Sequence, residues 1–249
     1  MPVVLPLLGL GIVFGTMSQR ISGMGFALLM APLFVITFGA YEGILLMNIG
    51  GAFSSAVMLI RVWRYVNWHK FWVLLAASIP GAAVGAYVAT QLDGATLQVM
   101  VGVLLMMGLA TMQLAKPVDG RVNERRGSLL AGLASGFTNG TAGFGSPAIA
   151  IYALYTRWEQ QSFAATLQPM FIVMSLSAFT LKTAISGQPP ALDWWVYPAM
   201  IVLILVGTVL GERVKEFIVE EGIKRMVIAL CYVGAISATV NGVWKIFYG

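Results

Sequence analysis

Long apolar stretches alternate with short polar links along the whole chain. A helix needs roughly 20 mostly apolar residues to cross a bilayer, and lipid leaves the backbone amides no partner outside a helix. The pattern therefore predicts membrane helices throughout. The apolar stretches run roughly over residues 3–19, 23–38, 43–60, 71–90, 97–115, 128–156, 163–181, 194–211 and 226–248.

The composition places the chain in a membrane. Hydrophobic residues make up 59% of it and charged residues only 10%, and the mean hydropathy is +0.85, which is too apolar for a surface in water. With short links, 249 residues leave room for about eight spans and for no soluble domain. We expect an all-α integral membrane protein, a polytopic helical bundle of about eight transmembrane segments in the cell inner membrane.

The chain also repeats its own pattern. Residues 22–26 read Ser-Gly-Met-Gly-Phe, and 120 positions later residues 142–146 read Ala-Gly-Phe-Gly-Ser. The same offset sets Asn48 against Gln168, and an insertion around residues 187–190 then lengthens it to 126. This pattern predicts one membrane domain built from two repeats, residues 1–120 and 121–249. The pairs at the longer offset are Trp68 with Trp194, Gly81 with Gly207, and Gly85 with Gly211.

The basic residues indicate how the two repeats are oriented. The links at 61–70, 116–126 and 212–225 hold eleven of the fifteen Lys and Arg residues, and such residues collect in cytoplasmic loops. All three links face the cytoplasm if residues 128–156 enter and leave on the same side, as a hairpin broken at Gly143-Phe144-Gly145. Three crossings and one hairpin in each repeat then invert the second repeat relative to the first, with both chain ends outside.

Polar residues gather where each repeat opens. Glycine lets the backbone leave the helix there, and the helix that restarts presents free N–H groups and a positive dipole end. Two such broken hairpins that meet near the midplane would form an anion site. The candidate substrate-binding residues are Ser18, Gln19, Arg20, Ser22, Gly23 and Gly25 in the first opening, Thr138, Asn139, Gly140, Thr141, Gly143, Gly145 and Ser146 in the second, and Asn48 and Gln168 in the next span of each repeat.

Structural roles compete for several of these residues. Glycines in membrane helices commonly serve close helix packing, and we assign that role to the four glycines of the pairs at the longer offset. The glycines of the two openings recur beside polar residues, which favours a site. Arg20 either contacts the anion or pairs structurally. Asn48 and Gln168 either face the cavity or form a hydrogen bond between helices.

Several classes of function lack the residues that they need. No predicted span has Asp or Glu near its centre, which argues against binding of Na⁺ or a metal by carboxylates. Cys231 is the single cysteine, and the chain has no metalloprotease, hydrolase-triad or P-loop motif, so we expect no enzyme, no metal and no cofactor. The net charge of +5 matches the loop bias of membrane proteins, so the expected partners are a small anion and the lipid bilayer, with no nucleic acid. A homo-oligomer stays open.

The glycine motifs are each followed by proline within a few residues, at Pro32 after Gly23-Met24-Gly25 and at Pro147 after Gly143-Phe144-Gly145. Together with the glycine pairs that end each repeat, they resemble the sulfite exporter TauE/SafE family of membrane transporters over nearly the whole chain. The resemblance implies a secondary transporter of small organic or inorganic anions, often sulfur-containing ones such as sulfite or sulfonates.

Residues and resemblance together predict a secondary transporter. It moves a small anion, such as sulfite or a sulfonate, across the inner membrane by alternating access between the two hairpins. Three alternatives stay open: a passive anion channel with the same lining, a carrier of another small metabolite, and a membrane subunit without transport activity.

Overall fold

The described part of the chain is helical from end to end. A computed structural model describes residues 4–115, 123–187, 191, 193–214 and 220–248. Within these residues it contains ten α-helices, a 3₁₀ turn at Trp63–Tyr65 and no β-strand, which confirms the all-α fold. The helices are α1 (Val4–Ser22), α2 (Phe26–Phe38), α3 (Ala40–Val62), α4 (Trp68–Gln91), α5 (Gly94–Leu114), α6 (Glu124–Ala142), α7 (Ser146–Tyr155), α8 (Gln160–Ser186), α9 (Val196–Val214) and α10 (Glu220–Tyr248).

Six of the described helices are long and apolar enough to cross a bilayer. They are α3, α4, α5, α8, α9 and α10, with mean hydropathies between 1.5 and 1.8. This supports a multi-pass membrane protein, while the count of about eight spans and the inversion of the repeats stay predictions. The predicted boundary at residues 120 and 121 lies outside the described residues, as do residues 188–190 of the predicted insertion.

The remaining four helices form two pairs broken by glycine. α1 ends at Gly23, whose φ is +79° and whose N–H bonds the Gln19 carbonyl at 2.8 Å. α6 ends in the same way at Gly143, with φ +79° and a bond of 2.9 Å to the Asn139 carbonyl. The helices that follow, α2 with 13 residues and α7 with 10, reach only about 20 and 15 Å, less than the ~30 Å hydrocarbon core. Both openings are therefore broken where the sequence predicted.

Small residues allow the broken pairs to pack closely against α4 and α9. A Cβ at Gly85 would lie 3.0 Å from the Thr141 nitrogen of α6, and one at Gly207 would lie 2.6 Å from the Val13 carbonyl oxygen of α1. Gly81 and Gly211 are equally confined, against the backbone of Leu133 and of Met17. The packing role that the sequence predicted for these four glycines is confirmed.

The outer surface of the bundle is apolar, and its interior holds polar side chains among the hydrophobic ones. Trp72, Val202 and Val233 are each more than half exposed. Gln19 and Asn139, by contrast, are at most 3% exposed. Large exposed apolar side chains of this kind suit a surface that faces lipid.

Two ends of the bundle can be distinguished by their contacts. At one, which we call the basic end, the Asn67 amide donates to Thr166 Oγ1 at 2.9 Å, so the end of α3 meets the start of α8. At the other, the opposite end, the hydroxyls of Tyr41 and Ser186 are 2.6 Å apart, so the start of α3 meets the end of α8. α3 and α8 therefore run antiparallel, side by side.

Candidate substrate-binding site

Both glycine breaks border one small pocket in the middle of the bundle, here called the central pocket. Its lining includes six pairs of positions that are 120 residues apart, so that each repeat contributes equally. With Ala27 and Gly143, these pairs make up the lining: Gln19 and Asn139, Met24 and Phe144, Gly25 and Gly145, Phe26 and Ser146, Gly51 and Phe171, and Ser55 and Ser175.

The central pocket is closed in this conformation. Its volume is about 20 Å³, which is room for one water molecule. An ion of four or more non-hydrogen atoms does not fit in this volume unless the surrounding helices separate. The structure therefore represents a state in which the middle of the bundle is sealed.

Two helix N-termini meet at the central pocket. α2 starts after Gly25 and α7 starts after Gly145, and neither start has a side-chain cap. The first N–H groups of a helix have no partner within the helix, and the aligned peptide dipoles make that end positive. Phe26 and Ser146, the first residues of the two helices, both line the pocket. Such ends attract anions.

A hydrogen-bonded network around the first glycine break closes one side of the pocket, and residues of both repeats take part in it. Gln19 Nε2 donates to Gln168 Oε1 at 3.1 Å, and Ser54 Oγ donates to Gln19 Oε1 at 2.7 Å. Gln168 Nε2 donates in turn to the Gly23 carbonyl at 3.2 Å and to the Ala164 carbonyl at 2.8 Å. Gln168 therefore forms the interhelical hydrogen bond that was one of its two predicted roles.

Around the second glycine break, shorter side chains stand at the equivalent positions. Asn139 of the second repeat corresponds to Gln19 of the first, and Asn48 of the first repeat corresponds to Gln168 of the second. In the described structure, Asn139 Oδ1 and both amide atoms of Asn48 are buried without a hydrogen bond, as is Ser135 Oγ. A buried polar atom without a partner costs about 1–3 kcal/mol. These atoms are available to a ligand.

Each glycine break packs on a helix of the other repeat. A Cβ at Gly23 would lie 2.9 Å from the Ala164 Cα of α8, and one at Gly143 would lie 2.8 Å from the Met47 side chain of α3. Ala164 lies 120 positions after Ile44, which also borders Gly143. The two tips are thus held by corresponding parts of α8 and α3.

Arg20 lies outside the central pocket, in a second cavity towards the basic end. Its guanidinium forms an ion pair with Glu212 at the end of α9, with Nη2 2.8 Å from Oε1. The cavity, here called the basic vestibule, has a volume of about 410 Å³ and is lined also by Arg61 and Gln160. Gln19 borders both spaces and separates them.

Among the other predicted residues, the threonine hydroxyls form hydrogen bonds within their own helix. Thr138 and Thr141 donate to carbonyls one turn back, at 2.9 and 2.8 Å. Gly140 packs on the backbone of α4. Ser18 is buried beside Gly25, where a Cβ would come within 2.8 Å of its hydroxyl. The side chain of Ser22 lies outside the described residues.

The structure therefore gathers part of the predicted set. Two of the missed residues, Ser55 and Ser175, line the central pocket, and their offset of 120 was a signal that could have found them. Lys182 was not among the predicted residues either, and it is 1% exposed. The predicted residues at the pocket are Gln19, Gly25, Asn139, Gly143, Gly145 and Ser146, with Gly23 and Gln168 joined to it by hydrogen bonds.

No metal centre accompanies this site in the described part of the chain. Across residues 4–115, 123–187, 193–214 and 220–248, no three His, Cys, Asp or Glu side chains come together. The residues described around the central pocket are uncharged. The polar groups that it presents are helix N-termini, side-chain amides and hydroxyls.

Long apolar helices around two glycine-broken pairs, with a pocket between the breaks, define a polytopic helical membrane protein. Residues 7–238 match the family described as Sulfite exporter TauE/SafE, and the chain belongs to that family. The resemblance that the glycine motifs indicated is confirmed, and the family is one of membrane transporters. No curated protein and no solved structure matches the chain significantly.

Proposed function

We propose that the protein is a secondary transporter that moves a small sulfur-containing anion, such as sulfite or a sulfonate, across the inner membrane by alternating access. The observation that carries the proposal is the meeting of two uncapped helix N-termini, α2 and α7, at one buried pocket. The family supplies the substrate class.

The lining favours an anion over a cation. The N-terminal N–H groups of α2 are hydrogen-bond donors, Asn139 and Ser146 add polar side chains, and the described lining residues include no carboxylate. Neutral donors and two positive dipole ends stabilise a negative charge without fixing it as firmly as an arginine would. A carrier must release its substrate, so this arrangement suits transport.

The two sides of the central pocket are closed by contacts of different strength, which supports alternating access. The Gln168 network closes the pocket against the basic vestibule, and no equivalent network joins Asn48 to Asn139 among the described side chains. We propose that the basic end faces the cytoplasm, since Arg61 and Arg20 line its vestibule. Breaking the Gln168 bonds would open the pocket to the vestibule, and closing them would commit the anion to the other side.

The correspondence of the two repeats supports their inversion. Six lining pairs share the offset of 120, and each glycine tip packs on a helix of the other repeat. Inverted repeats that exchange their conformations are a common basis of alternating access in transporters. The inversion thus accounts for a site made equally by both repeats.

Uptake into proteoliposomes tests the proposal. Purified protein is reconstituted and offered labelled sulfite, sulfate, thiosulfate, taurine, sulfoacetate and simple carboxylates, with and without a pH gradient. We expect saturable uptake of at least one sulfur anion that its analogues inhibit. Uptake no faster than in empty liposomes, from protein that elutes as a folded species, would overturn the proposal.

A further inference from the structure

The buried lysine of α8 is a charged group that the proposed site does not yet use. Lys182 is 1% exposed, and its Nζ has no hydrogen-bond partner among the described atoms. An ammonium group in the interior of a membrane bundle is costly, and such residues usually serve a solute pathway. An anion next to Lys182 would offset the cost of burying its ammonium group.

The position of Lys182 connects it with the central pocket. It shares a helical face with Phe171 and Ser175, both of which line that pocket. Seven residues separate Lys182 from Ser175, a rise of about 10 Å. Helical side chains lean towards the helix N-terminus, which is the direction of Ser175 here. The ammonium group thus lies between the central pocket and the opposite end.

Asn48 lies in the same stretch of the antiparallel pair α3 and α8. On one side of it, the Tyr41 hydroxyl donates to the Lys182 carbonyl at 3.3 Å. On the other side, Gly51 lies beside Ser175, with 3.7 Å from a Cβ to the Ser175 hydroxyl. Asn48 is fully buried, and both of its amide atoms lack partners. Two residues with unsatisfied polar groups therefore lie along one stretch of the helix pair.

The two repeats differ in charge in this stretch. The position 120 residues before Lys182 is Val62, so the first repeat has no equivalent ammonium group. On the side of the pocket nearer the basic end, the positive groups are Arg20, which is paired with Glu212, and Arg61. A cation thus stands on each side of the central pocket.

We propose that Lys182 and Asn48 form a second anion-binding position, between the central pocket and the opposite end, that holds the transported anion as it enters or leaves there. This inference rests on the proposed function. The ammonium group supplies the charge that the central pocket lacks, and the Asn48 amide supplies a hydrogen-bond donor on the facing stretch of α3.

Substitutions at this position separate its role from that of the central pocket. K182M removes the charge and keeps the length of the side chain, whereas K182R keeps the charge. The matched control is K245M, which removes a cation near the far end of α10, where Lys245 Nζ lies 3.4 Å from Gln98 Oε1. For sulfite and sulfoacetate uptake, we expect K182M to raise KM at least tenfold, K182R to stay within about threefold of wild type, and K245M to leave KM unchanged.

The outcomes distinguish this inference from the proposed function. If the wild-type protein transports either anion and K182M has the same KM, the second position does not exist, although the transporter does. If the wild-type protein transports neither of the two anions nor any other sulfur anion, the proposed function fails and this inference fails with it.

A measurement on the wild-type protein makes the test independent of the folding of variants. The reconstituted protein is treated with a small acetylating reagent that reacts with amines, with and without sulfoacetate. The acetylated fraction of each lysine is then measured by mass spectrometry. We expect sulfoacetate to slow the modification of Lys182 severalfold and to leave Lys245 unchanged. Equal modification of Lys182 in both samples, in protein that transports sulfoacetate, would overturn the inference.

Discussion

Gln168 Nε2 donates a hydrogen bond of 3.2 Å to the carbonyl oxygen of Gly23, and this bond fastens the tip of the first broken hairpin to α8. The equivalent residue in the other repeat, Asn48, is one methylene shorter and has no partner among the described atoms. The two tips are therefore held differently. The first is fixed by hydrogen bonds, and the second by the packing of Gly143 on Met47.

The contribution of the Gln168 hydrogen bonds to the free energy of unfolding can be measured with a substitution. Q168A removes hydrogen bonds to Gln19, Gly23 and Ala164 and leaves Gln19 Nε2 with only its longer bond of 3.3 Å to Ser55 Oγ, so we expect a loss of about 1–3 kcal/mol. Thermal unfolding in detergent measures it. The matched control is Q161A, an exposed position on the same helix, which should change stability little. Equal melting temperatures for Q168A and Q161A would show that the network does not hold the tip.

Asn139 tests the substrate contact in the second repeat. N139L keeps a side chain of similar size, but removes the amide beside the N-terminus of α7, so we expect anion uptake to be lost. Its buried Oδ1 has no hydrogen bond to lose in the described structure, so the protein should remain folded. The neighbouring control is T138V, since Thr138 donates only to carbonyls of its own helix. Normal uptake by N139L would remove Asn139 from the mechanism.

The glycine breaks allow backbone strain and packing to be separated. G143A places an L-residue at φ +79° and brings its Cβ within 2.8 Å of Met47, whereas G187A meets only the conformational cost, at φ +66° with no atom within 4 Å. The left-handed conformation alone costs about 1–2 kcal/mol. We expect G143A to be less stable than G187A and to lose uptake, while G187A keeps it. Similar stability of the two variants in thermal unfolding would mean that the Met47 side chain moves aside at little cost.

The stabilisation that Asp93 provides at the start of α5 should depend on pH. It precedes α5 and accepts hydrogen bonds of 3.0 Å from the amides of Ala95 and Thr96. Hydrogen bonding, first from the Thr96 side chain, holds its pKa below the ordinary 3.8. Because the folded pKa is the lower one, the stabilisation is complete above pH 3.8 and is lost as the pH falls through the folded pKa. The difference in melting temperature between wild type and D93A should therefore be largest near neutral pH and shrink as the pH falls through the folded pKa, towards the pH-independent difference between D93N and D93A. A wild-type advantage over D93A that is the same at neutral pH and at the lowest pH would contradict this account.

The sequence was sufficient for the helices and for their two breaks. Hydrophobic stretches separated by short links leave one choice of secondary structure in lipid, and the recurrence of Gly23 and Gly25 as Gly143 and Gly145 marks the breaks. Close packing at Gly81 and Gly207 followed from the same repeat. These features depend on local pattern and on the solvent, both of which the sequence displays.

Contacts between distant side chains could not be foreseen in the same way. The bond between Arg20 and Glu212 joins residues 192 positions apart, and neither residue has a marked partner in the sequence. Gln168 and Asn48 look equivalent in sequence, yet one methylene decides which of them reaches its neighbours. Lys182 follows a long apolar run, so only the packing of α8 against α3 reveals that it is buried.

The most direct test of the account is counterflow. Liposomes that contain the protein are preloaded with unlabelled sulfite and diluted into a trace of labelled sulfite, and uptake is compared with that of liposomes without preloading. A carrier whose central pocket opens to one side at a time predicts that preloading produces a transient accumulation of label above equilibrium. Rapid equilibration of label that is indifferent to preloading, and that does not saturate with concentration, would contradict alternating access and indicate a channel.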